Sequence, residues 1–383
     1  MIAPTPYFSD RGCHVRIYEE ARTLIEMGHD VHIVTYHLGR DMAGIPTTRI
    51  VKIPWYKKLS AGPSWHKLYL DTLLFFKAFT LCRSFKPDVI HAHLHEGAFI
   101  GICLRRIFKI PLLFDCQGSL TDESIDHGFF NKDSFMEKLF RRVENFINKR
   151  ADAIITSSTK GAEDMVSQWG LSPSLVTPLT DGVNCEEFKI MDKGPAREVL
   201  NLPSGKQIVA FVGLFNRYQG VDLLLEVVKI MQERQCPVHF LLMGFPEDKY
   251  KKMSEETGIA DMITFTGRVD YHKVPSYLSA ADIAVSPKIS LTEANGKLFN
   301  YMASGIPSVV FDTPVNREIL GDAGKYAAFG DKVAFANAIE ELVSDRELRV
   351  KLSEMGRERA VSEHSWGSRG KKLESIYRRL IDR

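Results

Sequence analysis

The sequence predicts an α/β protein of two doubly wound parallel-sheet domains, and three observations carry that expectation. Short apolar runs ending in Gly, Pro, Ser or Asp alternate with longer stretches of helical period, the signal order of parallel strands joined through helices. The alternation pauses over "DGVNCEEFKIMDKGPAREVLNLPSGK" and begins again at "QIVAFVG". A chain of 383 residues exceeds one ordinary core and suits two domains of about 100–200 residues each. The boundary is placed near residue 188.

In chain order, the first set of strands reads "MIAPTP", "DVHIVTY", "DVIHAH", "PLLFDCQG", "ADAIITSS" and "SLVTPLTDGV", with "VRIYEEARTLIEMG" as the first helix. The opening run has one apolar pair, so a few residues are expected upstream of it. The second set reads "QIVAFVG", "VHFLLMG", "MITFTG", "DIAVSP", "IPSVVF" and "YAAF".

Composition narrows the function. Hydrophobic content of 44% and charged content of 26% describe a water-soluble globular chain, and a formal net charge of +2 provides no domain-wide basic excess for a nucleic-acid partner. Six scattered cysteines without a Cys-x-x-Cys pair read as reduced thiols, which favours the cytoplasm. No secretory leader is seen, and the most apolar run, "LYLDTLLFFKAFTLC", is too short for a membrane span and carries Asp71 and Lys77.

In doubly wound sheets ligands bind beyond the carboxyl ends of the strands, so the loops there matter most. In the second domain they are "GLFNRYQG", "GFPED", "GRVDYHK" and "KISLTEANGK", and neither a G-x-G-x-x-G fingerprint nor a G-x-x-x-x-G-K-[ST] loop occurs among them. Ordinary dehydrogenases and ATPases are thereby disfavoured. The last loop makes a specific demand. Asn295-Gly296 turns the chain, Leu298, Tyr301 and Met302 follow at helical spacing, and Gly305 and Pro307 stop the helix. A helix start with Lys297 in its first turn reads as a phosphate site.

Taken together, "RGCHVRIYEEARTLIEMGHDVHIVT", "PDVIHAH", "TDGVNCEEF", "VGLFNRYQGVDLLLEVV", "ITFTGRV", "LSAADIAVSP", "KLFNYMASGIPSVV" and "SEHSWGSRGKKLESIYRRL" resemble the retaining glycosyltransferases of family 4 over nearly the whole chain. The resemblance implies the GT-B fold, with two Rossmann-like domains facing a cleft. Residues 1–187 are expected to bind the acceptor and 188–364 a nucleotide-sugar donor, while 365–383 form a C-terminal helix packing back on the first domain. It further implies sugar transfer to a glycan or lipid-linked acceptor in cell-surface polysaccharide or glycoconjugate synthesis. Retention is expected without a metal or organic cofactor.

On this reading Glu293 is catalytic, holding the sugar, and Gln117 positions the acceptor hydroxyl. Donor binding falls to Gly213, Arg217, Gln219, Gly244, Arg268, Asn295, Gly296, Lys297, Leu298 and Asn300. The acceptor falls to Gly12, His14, His93, Asp115 and Gly118. Three departures from the family stand out. Leu214 and Gln219 occupy positions where it usually carries a diphosphate-binding arginine and lysine. Thr292 and Asn300 stand where it tends to have two glutamates, with Glu293 one step away. Gln117 replaces a frequent histidine, a better proton carrier than an amide. The alternative is a catalytically degenerate GT-B protein that binds a sugar nucleotide or a partner without transfer.

Two further segments keep two readings each. His91, His93 and His95 alternate, so on one strand they share a face, lining the cleft or holding a metal. Residues 52–86 carry seven Lys or Arg, one acid and eight aromatics. They form either a core helix with a solvated basic edge or an interfacial helix on anionic lipid, which would place the protein peripherally on the inner face of the cell membrane.

Overall fold

The computed structural model describes residues 1–59, 64–126, 128–289 and 295–382. Two compact units result. One holds Met1–Thr180 and the chain from Trp366 onward; the other begins at Asp181 and closes at Ser365.

The first unit has seven strands: β1 (Ile2–Ala3), β2 (Ile33–Thr35), β3 (Thr47–Arg49), β4 (Ile90–His93), β5 (Leu112–Cys116), β6 (Ala153–Thr156) and β7 (Val176–Pro178). All pairs are parallel, in the order β3-β2-β1-β4-β5-β6-β7. β3 is an addition to the predicted strands. Its sequence, Thr-Thr-Arg, has no apolar run, and it exists as an edge paired to β2 through Ile33↔Thr47. Alternate residues of the central strands serve two cores, as a period of two requires. Leu112, Phe114 and Ile154 pack with Leu70, Leu74, Ala78 and Cys82, the buried stripe of the helix Lys67–Phe85. Leu113 and Ile155 pack on the other side with Leu24 of the helix Gly12–Glu26 and Leu373, Ile376 and Leu380 of the final helix Trp366–Ile381. Gly370 of that last helix lies so close to Thr23 that a Cβ would overlap its side chain. The chain's end therefore returns to the sheet it began with.

The second unit has six strands: β8 (Gln207–Val212), β9 (Val238–Met243), β10 (Ile263–Gly267), β11 (Ile283–Ser286), β12 (Ser308–Phe311) and β13 (Gly324–Ala327). They are parallel in the order β10-β9-β8-β11-β12-β13. Val209 of β8 pairs with Phe240 on one side and Ile283 on the other. Strand interiors are almost wholly apolar because helices cover both faces. The strand order reverses between β8 and β11 here, and between β1 and β4 in the first unit. These are the two places where a doubly wound sheet opens a crevice for a ligand.

The six cysteines are free thiols. Among the described residues no helix is long and apolar enough to cross a membrane.

Candidate functional site

At the β8/β11 switch point, three loops are drawn together by backbone. The Gly213 amide donates to the Met243 carbonyl at 3.0 Å, Phe215 to Phe245 at 2.8 Å, and Gly244 to Gly267 at 3.0 Å. Two glycines make this approach possible. A Cβ on Gly244 would overlap the Gly213 carbonyl and the Phe215 ring, and one on Gly220, whose φ is +78°, would overlap the Pro287 carbonyl. Gly220 escaped the sequence reading.

Into this corner comes Lys297, first residue of the helix Lys297–Ala303. Its Nζ donates to Gln219 Oε1 at 2.6 Å and lies 4.2 Å from the centre of the Phe211 ring. Gly213 leaves it room, since a Cβ there would come 3.0 Å from the same nitrogen. Burial pushes the Lys297 amine well below the usual lysine value, and the nearby charge of Lys288 adds to the effect. Lys288 is itself buried, with its Nζ 5.9 Å from the Tyr218 ring centre. It lies two residues beyond the end of β11 in "SPKIS", a stretch whose local pattern gives no sign of its burial. The helix Lys297–Ala303 spans only seven residues, so the positive character here comes from side chains more than from a helix dipole.

Gln219 stands where the resemblance expects a lysine. The amide instead accepts from a lysine on another loop, and its backbone is set by a bond from its own N–H to Asn216 Oδ1 at 2.9 Å. Arg217 and Arg268 are exposed on the neighbouring loops, Arg268 with its guanidinium 5.2 Å from the Phe245 ring centre. Leu214 and Asn300 are half-buried. The remaining residues of the turn serve the fold. Asn295 is buried, accepting from Ser286 Oγ at 3.1 Å and donating to Asn316 Oδ1 at 2.9 Å, which ties β11 to the segment after β12. Leu298 is fully buried and its amide is bonded to the Asn295 carbonyl, so it turns neither side chain nor N–H to a ligand. Gly296 lies against Asp181, whose Oδ2 would be 3.1 Å from a Cβ. Glu293 and Thr292 lie outside the described residues.

The first unit gathers a second set of polar groups at its own switch point. His14 is fully buried: the Ser9 amide donates to Nδ1 at 2.9 Å, and Nε2 lies 2.5 Å from Thr5 Oγ1. The Ser9 amide makes Nδ1 an acceptor, and Arg11 Nη2 lies 2.9 Å from Nε2. Asp115, at the end of β5, is also fully buried, and its Oδ2 accepts from Arg16 Nε at 2.9 Å, His93 Nδ1 at 2.9 Å and Gln117 Nε2 at 2.8 Å. Burial alone would raise this carboxyl, but Arg16 and the His93 hydrogen bond outweigh it and hold it well below the usual carboxylate range. His93, wholly inside, is thus a support for Asp115, and Gln117 is the half-buried member of the network. Gly12 and Gly118 have nothing within 4 Å of a Cβ position, so neither is required by packing.

The three histidines do not share a strand. β4 ends at His93, Leu94 turns the chain at φ +60°, and His95 begins the helix Leu94–Phe108, with its Nε2 3.5 Å from Glu144. Only His91 and His93 share a face, with stacked rings 4.3 Å apart. Glu20, His91, His93 and Asp115 bring one ligand-type atom each to within 4.8 Å of one another. Arg16 already occupies this group, 3.1 Å from Glu20 and 2.9 Å from Asp115, so a cation is built into the chain. In the 52–86 segment, the helix Lys67–Phe85 turns one stripe into the core while Trp55, Trp65, Leu68 and Phe76 remain exposed; residues 60–63 lie outside the described residues.

Two parallel sheets of this order, with polar groups collected at each switch point, are the architecture of the GT-B glycosyltransferases. The chain belongs to the family-4 type among them: the model described as "Glycosyl transferase 4-like domain" matches residues 11–182, and that described as "Glycosyl transferases group 1" matches residues 192–359. It is a glycosyltransferase. A D-inositol 3-phosphate glycosyltransferase of Corynebacterium diphtheriae is 26% identical over 392 residues, covering 96% of this chain and 89% of that protein. Among solved structures, a sucrose-phosphate synthase of Thermosynechococcus elongatus superposes with a TM-score of 0.82 at 20% identity, covering 99% of this chain and 96% of its own. Anabaena HepE in complex with UDP-glucose superposes with a TM-score of 0.77 at 16% identity, covering 98% of this chain and 97% of its own.

Proposed function

We propose that this glycosyltransferase moves a sugar from a nucleotide-sugar donor to a glycan or lipid-linked acceptor, with net retention at the anomeric carbon, in the synthesis of a cell-surface glycan or glycoconjugate. One observation carries the donor reading. Lys297, held by a neutral amide at the β8/β11 switch point and pressed toward neutrality by burial and by Lys288, gains most from a dianionic partner. A donor diphosphate is such a partner. The complex of Anabaena HepE with UDP-glucose supports the same assignment.

The chemistry asks little of the protein beyond positioning and charge. The bond from the anomeric carbon to the terminal phosphate breaks, the bond to the acceptor oxygen forms on the same face, and the acceptor proton passes to the leaving phosphate oxygen. Lys297 and Lys288 stabilise the charge that develops there, with Arg217 and Arg268 on the flanking loops. Glu293 and Asn300 are assigned to the sugar. In the first unit Gln117, oriented by its bond to Asp115, holds the acceptor hydroxyl beside the open positions at Gly12 and Gly118.

A panel of nucleotide sugars tests this, read first by thermal shift and then by product mass with acceptor extracts present. Stabilisation and transfer from one donor are expected. The second reading, binding without transfer, is favoured by the neutral Leu214 and Gln219, and donor stabilisation without any turnover would select it.

A further inference from the structure

Helix Phe135–Asn148 reverses the usual placement of its charges. Both of its acidic residues are turned inward: Glu144 accepts from Thr121 Oγ1 at 2.6 Å, and Glu137 from Arg141 Nε at 2.9 Å. Buried glutamates are uncommon, and here they leave an outer face free of negative charge. That face carries Phe135, Leu139, Val143 and Phe146, all exposed, Phe135 to 76%. They recur at helical spacing, so they form one apolar stripe. Lys138 and Arg142 are exposed between them, and Lys149 and Arg150 at the end. Arg150 lies over the Phe146 ring, 3.6 Å from its centre.

The stripe continues onto its neighbour. Phe99 of the helix Leu94–Phe108 is exposed, with its ring 6.4 Å from that of Phe146, and Arg106 and Ile107 are exposed further along the same helix. A solvated helix normally shows charges of both signs on its outer face. An apolar stripe flanked mainly by cations instead suits a surface that is greasy within and negative at its boundary.

We propose that this face docks the enzyme on an anionic lipid surface, with Phe135, Leu139, Val143 and Phe146 entering the headgroup boundary and Lys138 and Arg142 pairing with lipid phosphates. The occupant is lipid because the complementarity combines an inserted apolar stripe with a predominantly positive rim, in which Lys138, Arg142, Lys149 and Arg150 outnumber the exposed Asp133 at the helix start. The surface differs from the 52–86 segment, and it is independent of the donor site, whose occupancy is read by nucleoside diphosphate binding.

Flotation of the full chain decides, using phosphatidylcholine vesicles with and without about one-third phosphatidylglycerol. The protein is expected to float with the anionic vesicles at low salt and to be released as salt rises. Phe135→Ser/Phe146→Ser and Lys138→Glu/Arg142→Glu should each weaken binding by at least about tenfold, given roughly fivefold per basic contact near an anionic surface. Far-ultraviolet dichroism and diphosphate binding report whether the variants keep their fold; these side chains are exposed, so both are expected to be unchanged. No flotation of the wild type at low salt overturns the proposal. So does flotation that both folded variants retain, or a self-association that the variants abolish without any vesicle binding.

Discussion

Lys297 Nζ donates to Gln219 Oε1 across 2.6 Å, joining the start of one helix to the loop after β8. The pair replaces a cation on that loop with a neutral acceptor that holds a cation from elsewhere. Because the Lys297 amine is depressed in the free protein, a bound diphosphate must raise it. The complex then holds more protons than the free protein between the two values, so binding takes up protons and weakens as pH rises through that interval. Calorimetry in buffers of different ionisation enthalpy should show proton uptake on diphosphate binding, and Lys297→Met should abolish it.

The Arg16–Asp115 pair is a separate, structural commitment. Both groups are buried, and Arg16 also reaches the Leu179 carbonyl at 2.9 Å. Arg16→Met leaves Asp115 charged and without its main partner, so stability should fall by about 3–5 kcal/mol in denaturant titration. In the wild type, the depressed Asp115 carboxyl contributes stability that is present above the unfolded value of about 3.9 and is lost only as pH falls below it toward the folded value.

His91 gives stability an acid limb at milder pH. Burial, aided by the stacked His93, pushes its ring well below the usual histidine value. Below about pH 6.5 the unfolded chain binds a proton that the folded ring refuses, so stability declines as pH falls from there. His91→Gln should flatten this decline, as measured by urea midpoints across the range. The contact to Tyr377, 2.7 Å from His91 Nδ1, contributes about 1 kcal/mol of stability and is expected to affect the slope little.

Glycines separate packing from function. Gly244→Ala and Gly220→Ala drive a methyl into backbone and should cost roughly 1–3 kcal/mol, with a matching loss of diphosphate affinity as the loops part. Gly12→Ala and Gly118→Ala meet open space and should change stability by less than about 0.5 kcal/mol. Any loss of transfer in those two variants therefore reports on the acceptor, and kinetics with saturating donor will show it.

Much of the fold was legible because buried parallel strands announce themselves as apolar runs. "QIVAFVG", "VHFLLMG" and "DIAVSP" became β8, β9 and β11, and the closing helix returned to the first sheet as the resemblance implied. β3 was invisible, since Thr47–Arg49 has no pattern of its own and is made by its partner. His95 misled because alternation is the mark of a strand only while the backbone stays extended, and Leu94 turns it. Lys288 was missed for a related reason: its burial comes from loops brought together by sheet order, which no local pattern encodes. The turn sequence predicts Asn295 at the donor, whereas its side chain is engaged with Ser286 and Asn316, partners that lie 9 and 21 residues away and that no local pattern reveals.

On the proposed function, Lys297 and Lys288 hold the diphosphate of a sugar donor. Isothermal titration of a nucleoside diphosphate panel into the wild type, Lys297→Met and Lys288→Met/Lys297→Met decides whether they do. At least one diphosphate should bind the wild type, with affinity falling roughly ten- to a hundredfold in Lys297→Met and further in the double variant. No binding by any diphosphate, or equal affinity in all three proteins, would contradict it.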